Sequence, residues 1–124
     1  MSNTKQTIHL NTVIQEYSGD MRGKVVAITG TTTGTGYVAA REIAKKGGEV
    51  LLLNRKSPRV QKALSALQSE VPEGKVVDVE CDLQSQASVD QAIAYIKQNY
   101  QALDVLCNNA AVMALGDYAT ADGY

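Results

Sequence analysis

Four short apolar runs, separated by stretches of helical period, constrain the architecture of this chain more than any other feature. Val25–Thr29 (VVAIT), Val50–Leu53, Val76–Cys81 and Leu103–Cys107 read as strands, and the first two have the unbroken apolar character of strands buried on both faces. Val25, Val50, Val76 and Val105 stand 25, 26 and 29 residues apart, room for one helix and two short loops each time. The intervening segments fit. Gly36–Lys46 carries Val38, Ala39, Ile43 and Ala44 on one side and ends in Lys45, Lys46 and Gly47. Pro58–Ser69 has Pro58 in its first turn and Val60, Leu64 and Leu67 on one face, and Ser85–Tyr100 carries Val89, Ile93 and Ile96 at near-helical spacing. Strand–helix–strand alternation with right-handed crossovers predicts a parallel sheet with helices on its faces.

The predicted fold class is therefore α/β, an incomplete doubly wound, Rossmann-like parallel sheet of about four strands in the order 3-2-1-4. A complete fold of this kind has two three-stranded halves. The strand count thus predicts residues 23–124 to be the N-terminal half of a dinucleotide-binding domain, cut short within the next loop or helix, with residues 1–22 as a polar arm. In the arm, Leu10, Val13, Ile14 and Tyr17 share one face of a short helix. A fourth strand left at the edge would be long and apolar, a surface that invites pairing with another chain, a second copy included.

Composition narrows the function. The 124 residues carry a net charge of −1, against nucleic-acid binding and against a polybasic membrane surface. No apolar run approaches the ~20 residues of a membrane helix, and MSNTKQTIHL lacks the pattern of a secretory signal. One histidine (His9) and two cysteines (Cys81, Cys107) build neither a zinc site nor a disulfide framework, which makes a cytoplasmic compartment the expectation. Strands one and two lie between the two cysteines in a 3-2-1-4 sheet, so they are expected as separate thiols.

Between the first strand and the first helix lies Thr29-Gly30-Thr31-Thr32-Thr33-Gly34-Thr35-Gly36. Glycines serve where backbone turns tightly, where it approaches a pyrophosphate, and where helix packs on strand. Gly34-Thr35-Gly36-Tyr37-Val38-Ala39 also fits the general dinucleotide fingerprint, with the phosphates at the helix N-terminus. A glycine- and threonine-rich structural turn is the plain alternative. An acid about 20 residues on would meet the ribose hydroxyls of NAD, but that position holds Asn54, followed by Arg55. A guanidinium pairs with phosphate, so the 2′-phosphate of NADP is the favoured ligand and NAD the lesser one. A solvated basic turn of Arg55, Lys56 and Arg59 is the alternative here.

Together with Cys81-Asp82-Leu83 after strand three and Asn108-Asn109-Ala110-Ala111 after strand four, the turn resembles that of the short-chain dehydrogenases/reductases, in the family's order and spacing over about residues 23–115. Val112-Met113 and Thr120-Ala121-Asp122-Gly123-Tyr124 resemble the retinol-dehydrogenase-like branch. The resemblance implies that the Gly30–Gly36 loop cradles the pyrophosphate and that Arg55 takes the 2′-phosphate. It further implies that Asp82 bonds the adenine with Leu83 beside it, and that Asn108, Asn109 and Ala110 line the cofactor and brace the sheet. A turn carboxylate (Asp82) and a loop amide (Asn108) are the alternatives. Two residues depart from the family: Thr35 stands where Ile is usual, and Ala111 adds a methyl where the family has Gly.

The family's Tyr-x-x-x-Lys pair is absent from these residues: Tyr17, Tyr37, Tyr95, Tyr100 and Tyr118 meet Met21, Arg41, Asn99, Asp104 and Asp122 four positions on, and Tyr124 is last. Tyr37/Arg41 reads as an ordinary helix pair. The expectation is thus the cofactor-binding part of an NADP-dependent oxidoreductase, with no catalytic residue and no metal ligand of its own. Its whole protein would move a hydride between nicotinamide and the carbonyl or alcohol carbon of an apolar small molecule. The alternative is a non-catalytic dinucleotide-binding or interaction module.

Overall fold

The computed structural model describes residues 19–32 and 34–110. The predicted arm helix with His9, together with Thr33, Ala111, Val112-Met113, Tyr118 and Thr120–Tyr124, lies outside the described residues. Seven elements alternate: β1 (Val25–Thr29), α1 (Gly34–Lys45), β2 (Glu49–Asn54), α2 (Pro58–Glu70), β3 (Lys75–Glu80), α3 (Gln86–Asn99) and β4 (Val105–Cys107). The four strands form one parallel sheet ordered β3-β2-β1-β4, as predicted.

Alternation along β1 and β2 assigns the two faces. Val26, Ile28, Val50 and Leu52 pack with Ala40 and Ala44 of α1, Leu67 of α2 and Val71 just after it. Ala27, Leu51 and Leu53 point the other way, toward Val79, Cys81 and Ala92 of α3. Both faces of the central strands are therefore dry, and each of Ile28, Leu51 and Leu52 contributes about 1.5–3 kcal/mol by leaving water. Local chemistry sets the helix starts. Ser57 and Ser85 cap α2 and α3 by accepting from the Val60 and Ser88 N–H groups, and Pro58 takes a position where no N–H is needed.

The predicted inward faces need adjustment. In α1 the buried residues are Gly36, Ala40 and Ala44, while Val38, Ala39 and Ile43 are half-buried along the flanks. Small residues four apart let the helix settle close to the sheet, which the larger ones would prevent. In α3 the buried residue is Ala92, and Ile93 is 44% exposed. β4 is shorter than predicted. Asp104 stands before it, donating its N–H to the Val25 carbonyl (2.9 Å) and accepting the Val25 N–H on its carboxylate (2.8 Å). The sheet's two edges differ: β3 exposes Lys75, Asp78 and Glu80, whereas β4 exposes Val105 (47%) and Leu106 (52%).

Candidate functional site

Because all four strands are parallel, the segments following them gather at one end of the sheet, beyond the carboxyl termini of the strands. They are the glycine turn after β1, Arg55 after β2, Asp82 and Leu83 after β3, and Asn108–Ala110 after β4. Hydrogen bonds stitch these ends together: the Gly30 N–H donates to the Leu53 carbonyl (3.4 Å) and the Cys81 N–H to the Asn54 carbonyl (2.8 Å).

The turn is held from two sides. Thr29, buried at the end of β1, accepts the N–H groups of Asn109 and Ala110 on its Oγ1 (2.9 Å each) and donates to the Cys107 carbonyl (3.4 Å). Asn109 Nδ2 donates to the Gly30 carbonyl (3.0 Å). On the opposite side Asn54 Oδ1 accepts the Thr31 N–H (2.9 Å) while its Nδ2 donates to Thr31 Oγ1 (2.6 Å). Thr31 and Asn54 are both buried, so their pairing satisfies groups that water cannot reach.

Two glycines are required by contact. Gly30 has φ 68°, and a Cβ there would lie 2.8 Å from the Ala110 Cα. A Cβ on Gly36 would collide with the Gly30 carbonyl oxygen and lie 2.6 Å from Asn109 Nδ2. Gly36 is thus where α1 passes closest to the turn, an approach that only a residue without a Cβ allows.

These contacts leave Gly34 and Thr35, in the first turn of α1, exposed. Early amides of a helix have no intrahelical acceptor and carry the positive end of its dipole. Arg59 and Lys62, with Tyr37, Val38, Ala63 and Ala66, line an open groove of about 590 Å³ that reaches Thr32 and Gly34, and Arg55 and Lys56 are exposed just after β2. An anion is the natural guest of such an arrangement. Asp82 is half-buried, with Oδ1 accepting the Gln84 N–H (2.9 Å) and its own N–H given to Ser88 Oγ (2.8 Å). Leu83 is 54% exposed and Asn108 is exposed at the same end.

Elsewhere, Tyr37 donates to Glu70 Oε1 (2.5 Å), with Arg41 against the same carboxylate (3.5 Å), so this pair ties α1 to α2. Burial, and then the bond to Glu70, push the Tyr37 phenol up to about 12. Cys81 is buried and Cys107 half-buried, and both are free thiols; burial pushes the Cys81 thiol up. Among the described residues no helix is long and apolar enough to cross a membrane.

Asn54 and Thr29 carry structural roles that the sequence analysis does not assign them. A signal was present: a polar side chain ending an apolar strand is buried with its neighbours and must find partners.

Residues 24–122 match the family model described as short chain dehydrogenase. The chain is 38% identical over 108 residues to a short chain dehydrogenase/reductase, dpchH, of Colletotrichum higginsianum, covering 85% of this chain and 27% of that protein. To retinol dehydrogenase 13 of Mus musculus it is 34% identical over 102 residues, covering 82% and 30%. Among solved structures, L-sorbose reductase of Gluconobacter frateurii, complexed with NADPH and L-sorbose, superposes with a TM-score of 0.66 at 29% identity, over 74% of this chain and 35% of that one. The chain thus spans roughly a third or less of each of these proteins.

Proposed function

The chain belongs to the short-chain dehydrogenase family, and from that premise we propose that it is the cofactor-binding part of an NADP-dependent oxidoreductase. The observation that carries this reading is the glycine turn, fixed on two sides while the first turn of α1 stays exposed beside a groove lined by Arg59 and Lys62. The donor set suits a dinucleotide: backbone amides and a helix dipole for the pyrophosphate, and a guanidinium for a 2′-phosphate. Arg55 takes the 2′-phosphate, the turn from Gly30 to Gly36 takes the pyrophosphate, and Asp82 and Leu83 flank the adenine. Asn108, Asn109 and Ala110 border the far side of the cofactor. When bound, the nicotinamide supplies or accepts a hydride at a carbonyl or alcohol carbon. The whole protein's substrate is an apolar small molecule, a reading supported by the likeness to a retinol dehydrogenase.

Calorimetric titration of the 124-residue chain tests this. NADPH is expected to bind at least tenfold more tightly than NADH, and Arg55→Glu to abolish the difference, since it places like charge against the phosphate. Equal affinities in the unaltered chain would refute the NADP preference, and no binding of either would refute the reading.

A second reading, a non-catalytic dinucleotide-binding or interaction module, is favoured by one observation, the apolar β4 edge at Val105 and Leu106. A monodisperse dimer that Leu106→Lys dissociates would support it.

A further inference from the structure

We infer that the trough between α1 and α2 is a second ligand site, one that takes a free alkyl carboxylate, with its head at Arg59 and Lys62 and its tail laid along Ala63 and Ala66. The site goes beyond the dinucleotide reading, because the trough leads away from the glycine turn, down between the two helices.

Helical spacing builds one wall. Arg59, Lys62, Ala63 and Ala66 stand at i, i+3, i+4 and i+7 of α2 and so share one face. Tyr37 and Val38 of α1 form the other wall, and the groove of about 590 Å³ between them opens at Thr32 and Gly34. Four residues past Ala66 stands Glu70, where the Tyr37 hydroxyl donates to Oε1 (2.5 Å) and Arg41 pairs with Oε2 (3.5 Å). The two helices are thus tied together beyond Ala66, while the opposite end stays open. The small side chains of Ala63 and Ala66 leave a depth that longer ones would fill. From Arg59 to Ala66 the helix rises about 10 Å, the length of a chain of about eight carbons.

Charge selects the head group. Arg59 lies in the first turn of α2, which holds no acidic residue and where the helix dipole opposes a cation. Neither Arg59 nor Lys62 has an ion-pair partner among the described residues, whereas Glu42 and Glu70 are taken up by Arg41 and Lys45. Two uncompensated cations call for an anion, and the apolar surface of Val38, Ala63 and Ala66 beside them calls for hydrocarbon. An inorganic anion would leave those walls wet, and an uncharged hydrocarbon would leave the cations without a partner. A lipid held in a bilayer keeps its chains there and presents only its head, so a trough with an apolar floor suits a free molecule.

Titration of the full 124-residue chain with sodium octanoate, followed by amide chemical shifts, tests the site. The Val38, Ala63 and Ala66 amides are expected to shift together and to saturate. Butanoate, shorter by four methylenes, is expected to bind about tenfold more weakly, and octanol about fivefold more weakly. Ala66→Leu keeps helix propensity and fills the trough, and it is expected to weaken octanoate at least fivefold. Joint Arg59→Ala and Lys62→Ala substitution is expected to do the same by removing charge. Leu106→Thr, at the exposed β4 edge, is expected to change nothing. Octanol bound as tightly as octanoate, shifts centred on α3 or β4, or indifference to Ala66→Leu would each overturn the inference. So would shifts at these amides produced by anionic phospholipid vesicles and not by octanoate, since the trough would then be a membrane contact. Should Ala66→Leu not fold, the chain-length series and the double variant decide. Octanoate bound as expected by a chain that binds neither NADPH nor NADH would end the proposed function and leave the trough site standing.

Discussion

Replacing Gly36 with alanine sets two effects of opposite sign against each other. Alanine is favoured over glycine inside a helix by about 1 kcal/mol, and Gly36 is the third residue of α1. On propensity alone Gly36→Ala stabilises. The added Cβ, however, falls against the Gly30 carbonyl oxygen and 2.6 Å from Asn109 Nδ2. Overpacking of this kind costs about 1–3 kcal/mol. The carbonyl it meets belongs to backbone held by a strand end, and cannot swing aside as a long side chain does. Displacing Asn109 also forfeits its bond to that carbonyl, about 1 kcal/mol more. The net expectation is a loss of about 1–3 kcal/mol, which for a domain near this size lowers Tm by on the order of 5–15 °C. Thermal unfolding followed by far-UV circular dichroism measures it. Thr35→Ala, one residue earlier and exposed, is the control, expected within about 0.5 kcal/mol of the unaltered chain. A Gly36→Ala variant that melts at or above the Tm of the unaltered chain would refute the close-approach argument.

Two further outcomes follow from the same contacts. Thr29→Val keeps the shape but removes the acceptor of the Ala110 N–H; Asn109 retains the Cys107 carbonyl (3.1 Å), so the loss is about 1–2 kcal/mol in urea unfolding, and no change would deny the brace any energetic weight. Tyr37 holds its proton more tightly when folded than when unfolded, so its contribution is complete below pH ~10 and is lost as pH rises toward about 12. The urea midpoint of the unaltered chain should accordingly fall more steeply over that range than that of Tyr37→Phe; parallel curves would contradict the assigned environment.

The strand ladder could be read almost entirely from the sequence, because strands buried on both faces leave unbroken apolar runs at regular intervals. β1 begins and ends where the run VVAIT does, and the order β3-β2-β1-β4 is the one expected for the first half of a doubly wound dinucleotide fold. The inward side of α1 was harder. Hydrophobicity points to Val38 and Ile43, but the distance between helix and sheet is set by the smallest side chains, Gly36, Ala40 and Ala44. Helix α3 shows the same inversion, with Ala92 buried and Ile93 exposed. In the candidate site, the glycines announced themselves by spacing, whereas their fixation did not. Thr29, Asn54 and Asn109 act through hydrogen bonds between positions 23 to 81 residues apart, and no local pattern encodes such pairings.

The bond from the Ala110 N–H to Thr29 Oγ1 joins residues 81 positions apart, and that span has a temporal meaning. A nascent chain emerges from its N-terminus, so the glycine turn leaves the ribosome long before the segment after β4 that clamps it. Up to that point β1, β2 and β3 can pair and α1 can form, with the Asn54 contact already made, while the turn lacks its brace on the Asn109 side. The braced form of the glycine turn is completed only when the fourth strand docks. Any ligand that binds the braced turn alone would therefore find its site late, and would stabilise the docked strand in the act of binding.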